Sequence, residues 1–108
     1  MNKESSEIIC NDNFNILRRV NAIMRDIIRL KSENRTIGQR INYLHKKRYE
    51  YIKVIKNNKG NKSLLREYNK KIDSNINLQV LLAKLQKHNS KLILKHRSKI
   101  QQLRKELV

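Results

Sequence analysis

Proline is absent from this 108-residue chain, tryptophan is absent, and there are only two glycines, one phenylalanine and one cysteine. Each scarcity excludes something. Without proline and with glycine only at positions 38 and 60, little interrupts a helix. Few aromatics and few β-branched runs argue against a sheet. The lone Cys10 cannot build a disulfide framework within the chain, and a reducing, intracellular setting is the expected one, with cytoplasm and nucleus not distinguished. No apolar run approaches the roughly 18 residues of a membrane span. The first dozen residues carry Glu4, Glu7 and Asp12 and no long apolar stretch, which reads as neither a secretory signal nor a mitochondrial presequence.

Acid is the other scarcity. Nine acidic residues stand against 26 basic ones, for a formal net charge of +17. Asn, Ile and Lys occur 14, 14 and 16 times, which resembles an AT-rich coding background. That bias would favour Glu as well, and Glu is rare here. The excess of cations therefore points to an anionic partner, nucleic acid before a membrane surface.

What is present is a seam. Ile16, Val20, Ile23, Ile27, Leu30, Asn34, Ile37, Ile41, Leu44, Arg48, Tyr51 and Ile55 follow one another at alternating steps of four and three. A 3.5-residue period is the mark of a helix packed along another helix. A polar stretch, residues 57–62, then breaks the pattern, with Gly60 suited to a left-handed helix stop. A second seam follows: Leu65, Tyr68, Ile72, Asn75, Gln79, Leu82, Gln86, Asn89, Ile93, His96, Ile100, Leu103 and Leu107.

The expected fold is all-α: a long antiparallel two-helix coiled-coil hairpin. A polar tail over 1–12 precedes helix 1 at about 13–56, capped by Asp12 or Asn13; Ile9 continues the seam spacing back through Asn13, so an earlier start near Ser5 or Ser6 is the alternative. The loop spans 57–62, and helix 2, capped by Ser63, spans about 63–107. Each helix would be about 65 Å long. Facing residues share a constant number sum when Ile55 is set opposite Tyr68. This register brings Tyr51 to Ile72, Leu30 to Ile93 and Val20 to Leu103. It also pairs the polar layers, Asn34 with Asn89 and Arg48 with Asn75, as buried polar groups require. A parallel dimer through helix 1, fixed by Asn34, is the competing arrangement. It leaves the second seam without a partner.

Off the seam lie two further apolar stripes: Phe14, Leu17, Met24 and Ile28 on helix 1, and Leu78, Leu81, Leu85 and Leu92 on helix 2. Both are expected in the loop-distal half. A two-helix coiled coil needs one stripe per helix, so these eight residues read as a protein-docking surface. Self-association or a partner protein would complete a bundle there.

Catalysis finds little support. Cys10, His45, His88 and His96 are the candidate nucleophile and bases, and none has the spacing of a catalytic or helical metal pair. No enzyme activity, metal or cofactor is expected. Charge is more informative. Residues 45–71 hold Lys46, Lys47, Arg48, Lys53, Lys56, Lys59, Lys62, Arg66, Lys70 and Lys71 against only Glu50 and Glu67. Tyr43, Tyr49, Tyr51 and Tyr68 lie in or beside this stretch. Lysines neutralise phosphates, and the off-seam Tyr43 and Tyr49 suit stacking on unpaired bases. Tyr51 and Tyr68 belong to the seam. The reading is a non-catalytic basic hairpin that binds nucleic acid, RNA over DNA, within a larger assembly. The alternative is a structural coiled-coil subunit or tether of a multiprotein complex. A membrane partner is disfavoured, because no helix sets a clean lysine face against a broad apolar one.

Overall fold

The computed structural model describes residues 3–108, with side chains described from residue 11; Met1, Asn2 and the side chains of Ile9 and Cys10 lie outside it. Two helices make up the fold, α1 (Lys3–Asn57) and α2 (Lys62–Lys105). The fold is the expected all-α helical hairpin. α1 starts at Lys3, close to the earlier expected start near Ser5 or Ser6 and well before the one at Asn13. With no glycine or proline over residues 3–13, the backbone ladder simply continues through what the charge pattern suggested was a tail.

Asn13 is therefore an interior helical residue and caps nothing. Its side-chain amide donates to the Val108 carbonyl at 3.0 Å and its Oδ1 accepts from the Val108 amide at 3.1 Å.

The turn is built by asparagines. The Asn58 side chain donates to the Val54 carbonyl at 2.8 Å and closes the end of α1. Asn61 begins α2: its Oδ1 accepts from the Leu64 amide at 3.1 Å, and its carbonyl accepts from the Leu65 amide. Asn61 is thus the N-cap expected of Ser63, because its short amide oxygen reaches a first-turn N–H that would otherwise lack a partner. Gly60 does not adopt positive φ. With Asn58 and Asn61 satisfying the helix ends, no left-handed stop is needed.

Two compact units divide the chain, Met1–Glu33 with Asn89–Val108, and Asn34–His88. Both helices contribute to each. In the first unit the core is Val20, Ile27, Leu30, Ile93, Ile100 and Leu103, with Ile16, Ile23 and Leu92 packed against it. These are seam positions, Leu92 excepted, and Leu103 is the most deeply buried at 1% exposure. Asn89 is buried in this unit and donates toward the Glu33 carboxylate at 3.5 Å.

In the second unit the seam residues from Asn34 to Ile55 and from Leu65 to Gln86 are all buried or half-buried. Its polar layers find backbone partners where the sequence suggested side-chain ones. Asn75 donates to the Leu44 carbonyl at 2.9 Å and accepts from the Gln79 amide. Asn34 donates to the Gln86 carbonyl at 3.3 Å, and Gln86 donates to the Asn34 carbonyl at 3.1 Å. A helical carbonyl lies beside the amide four residues on. The Leu44 carbonyl points up the helix toward Arg48, so this bond lies within one turn of the Arg48 layer that the register assigns to Asn75. Tyr51 enters beside Tyr68, ring centroids 5.6 Å apart and edge-on, as a knob among several residues of the facing helix.

Candidate nucleic-acid interface

The basic stretch lies wholly in the unit formed by Asn34–His88. Because the asparagines fasten the turn, Lys56, Lys59 and Lys62 are left exposed around it, and Lys46, Lys53, Arg66, Lys70 and Lys71 are exposed on the helices. Lys47 and Arg48 are half-buried. The two acids of the stretch are both engaged. Glu50 meets Lys47 at 3.3 Å, and Glu67 meets Lys71 at 3.6 Å. The hydrogen bond to Glu50, with its charge, holds the Lys47 ammonium above its ordinary range. Both ion pairs link neighbouring turns of one helix on the surface, so they add little stability. Their effect is to use up the negative charge and leave the remaining cations unopposed.

The tyrosines separate into two roles. Tyr51 and Tyr68 are half-buried, with Lys71 above both rings, 5.8 and 4.6 Å from their centroids. Tyr43 and Tyr49 are 57% and 63% exposed. Each carries a lysine one turn on: Lys47 lies 5.8 Å from the Tyr43 ring centre and Lys53 lies 4.8 Å from that of Tyr49. The signal for these pairs, an i, i+4 spacing of Tyr and Lys, was in the sequence and was missed.

A further pattern emerges from the exposed face of α1. Tyr43, Lys46, Tyr49, Lys53 and Lys56 are all exposed and follow at steps of three, three, four and three. That spacing places them on one side of the helix, with ring and ammonium alternating from Tyr43 to Lys53 over about 15 Å and Lys56 following one turn beyond. On α2, Lys62, Arg66 and Lys70 recur every fourth residue. Between the helices, a depression of about 400 Å³ is lined by Tyr51, Lys70, Lys71, Ser74 and Asn75 together with Leu44 and Leu78. Two lysines, a serine and Tyr51 share this hollow with the buried Asn75, whose amide is already bonded to Leu44 and Gln79.

No protein-family model, no curated protein and no solved structure matches the chain.

The remaining candidates are distributed as follows. His45 and His88 are exposed in the loop-bearing unit, and His96 is half-buried in the other. Among the described residues, no group of three His, Cys, Asp or Glu side chains lies together. Among the described residues, no helix is long and apolar enough to cross a membrane.

Of the off-seam apolar residues, Phe14, Leu17, Met24, Ile28, Leu81 and Leu85 are exposed, whereas Leu78 and Leu92 are half-buried. Leu92 packs on the core. Leu78, Leu81 and Leu85 belong to the loop-bearing unit, so the two stripes do not share the loop-distal half as expected. The stripe on α2 simply lies nearer the turn than the one on α1.

Proposed function

We propose that the chain is a non-catalytic RNA-binding hairpin that works as a subunit of a larger assembly, with the loop-bearing unit as its RNA-contacting part. One observation carries the reading: an exposed stripe that alternates tyrosine and lysine, in a region whose only two acids are already paired. Lysines supply phosphate neutralisation and counterion release. Exposed tyrosine faces supply stacking, which tolerates any base and requires that the base be unpaired. RNA is favoured over DNA because RNA presents unpaired, splayed bases in its loops, bulges and ends, whereas cellular DNA is mostly paired. Nothing in the stripe supplies the paired donors and acceptors that read a base edge, so binding is expected to be tolerant of sequence.

The test is strandedness. The full chain is titrated with a fluorescent single-stranded RNA and with the same strand annealed to its complement. The single strand is expected to bind more tightly at physiological salt. Equal affinity would mean that charge alone is read and would remove the tyrosines from the account.

A further inference from the structure

The unit formed by Met1–Glu33 and Asn89–Val108 carries its own unexplained surface. Phe14, Leu17, Met24 and Ile28 are exposed there, Phe14 and Ile28 to 60% and 65%. With Asn21 they step along α1 by three, four, three and four. This is a second coiled-coil seam beside the first, and the first already packs against α2.

At Met24 and Ile28 the stripe opens into a groove of about 360 Å³. One wall is Met24, Ile27, Ile28 and Lys31 of α1. The other is Arg97, Ile100, Gln101 and Arg104 of α2. Both walls have the i, i+3, i+4, i+7 spacing by which a helix presents one ridge to a neighbour. The floor is apolar. The rim holds three cations and no acid. Arg18, 5.9 Å from the Phe14 ring centre, adds another cation along the stripe.

We propose that this groove receives an acidic amphipathic helix from a partner protein. The proposal rests on the assembly part of the reading above and is independent of its RNA part. Charge selects the occupant. A second copy of the chain docked face to face would set Lys31, Arg97 and Arg104 against the same three cations, desolvated and unpaired. An incoming helix with an apolar stripe and carboxylates along one flank would instead fill the floor and neutralise the rim. Arg97 and Arg104 are two turns apart, about 10.5 Å. Two carboxylates seven residues apart on the partner would each meet one guanidinium, in the charge-assisted geometry arginine favours.

The probe is a synthetic 21-residue helix with leucines at alternating three- and four-residue steps and glutamates seven apart along one flank. Its binding to the full chain is followed by fluorescence anisotropy, beside a scrambled peptide of the same composition. The amphipathic peptide is expected to bind at least tenfold more tightly than the scrambled one. The Met24→Gln/Ile28→Gln and Arg97→Gln/Arg104→Gln variants should each weaken it at least tenfold. All four side chains are exposed, so circular dichroism should show unchanged helicity. RNA affinity of Met24→Gln/Ile28→Gln should equal that of the parent, so a failure here leaves the RNA reading standing. Equal binding of the two peptides, or indifference to both variants, would overturn the proposal. So would a dimer in sedimentation that Met24→Gln/Ile28→Gln dissolves, since the occupant would then be a second copy. Capture of the chain by anionic vesicles through the same four residues, without peptide binding, would assign the groove to lipid and overturn it equally.

Discussion

Replacing Leu103 by alanine is expected to cost the fold about 2–5 kcal/mol. Leu103 is 1% exposed and packs with Val20, Ile27, Leu30, Ile93 and Ile100 in the one buried cluster of its unit among the described residues. Truncation removes buried methyl groups and leaves a void, and two helices have few other side chains with which to close it. Small domains hold a total stability of only about 5–15 kcal/mol, so the loss is a large share of what is available. Leu81→Ala is the comparison. Leu81 is an equally large side chain, 62% exposed, and its replacement should change stability by no more than about 0.5 kcal/mol. Urea unfolding followed by circular dichroism measures both. Similar losses from the two variants would mean that the seam does not carry the stability assigned to it.

The second large effect concerns RNA affinity. Removing both exposed rings, in a Tyr43→Ala/Tyr49→Ala chain, is expected to weaken single-stranded RNA binding by about 1–3 kcal/mol per stacked base. The fold should hardly notice, since both side chains stand in solvent. Tyr51→Ala should behave in the opposite way. Its ring packs edge-on against Tyr68, so its loss should lower stability, while the exposed stripe proposed to meet RNA is left intact. Unfolding curves and RNA titrations on the same two variants separate the roles. If Tyr43→Ala/Tyr49→Ala binds as tightly as the parent, the rings are not stacking and the lysines act alone.

The seam was legible because burial imposes a period. Every residue assigned to it from Ile16 to Ile55, and from Leu65 to Leu103, is buried or half-buried. A helix that packs on a helix must repeat its apolar positions every 3.5 residues, and sequence records that directly. Helix ends were less legible, because several residue types cap equally well. Ser63 and Asn61 are both good N-caps, and the backbone chose Asn61. The sequence leaves the start of α1 open between Ser5 and Asn13 for a related reason: polar residues without glycine or proline fit a tail or a solvated helix alike. Polar layers were the hardest to read. Opposed asparagines suggested amide-to-amide pairing, yet Asn75 reaches the Leu44 carbonyl and Asn34 and Gln86 exchange bonds with each other's backbone. Backbone acceptors are present at every layer, and a one-letter code does not display them. In the candidate interface, the charge imbalance and the two off-seam tyrosines were plain in the sequence. Their alternation with lysine along one face needs helical spacing to be counted, and the pairing of Glu50 and Glu67 needs coordinates.

If the proposed phosphate-contacting site is localised at the turn, the salt dependence of RNA binding reveals it most directly. Each neutralised phosphate on a single strand contributes a slope of about −0.7 in log affinity against log salt. Lys53, Lys56, Lys59 and Lys62 are exposed on and beside the turn. Changing all four to glutamine should make the slope shallower by up to about 2.8. Changing Lys84, Lys87, Lys91 and Lys95 removes the same formal charge from exposed positions of α2 away from the turn, and should move the slope far less. Equal changes in slope from the two variants would contradict the account, because they would mean that a chain of +17 attracts RNA diffusely and has no site.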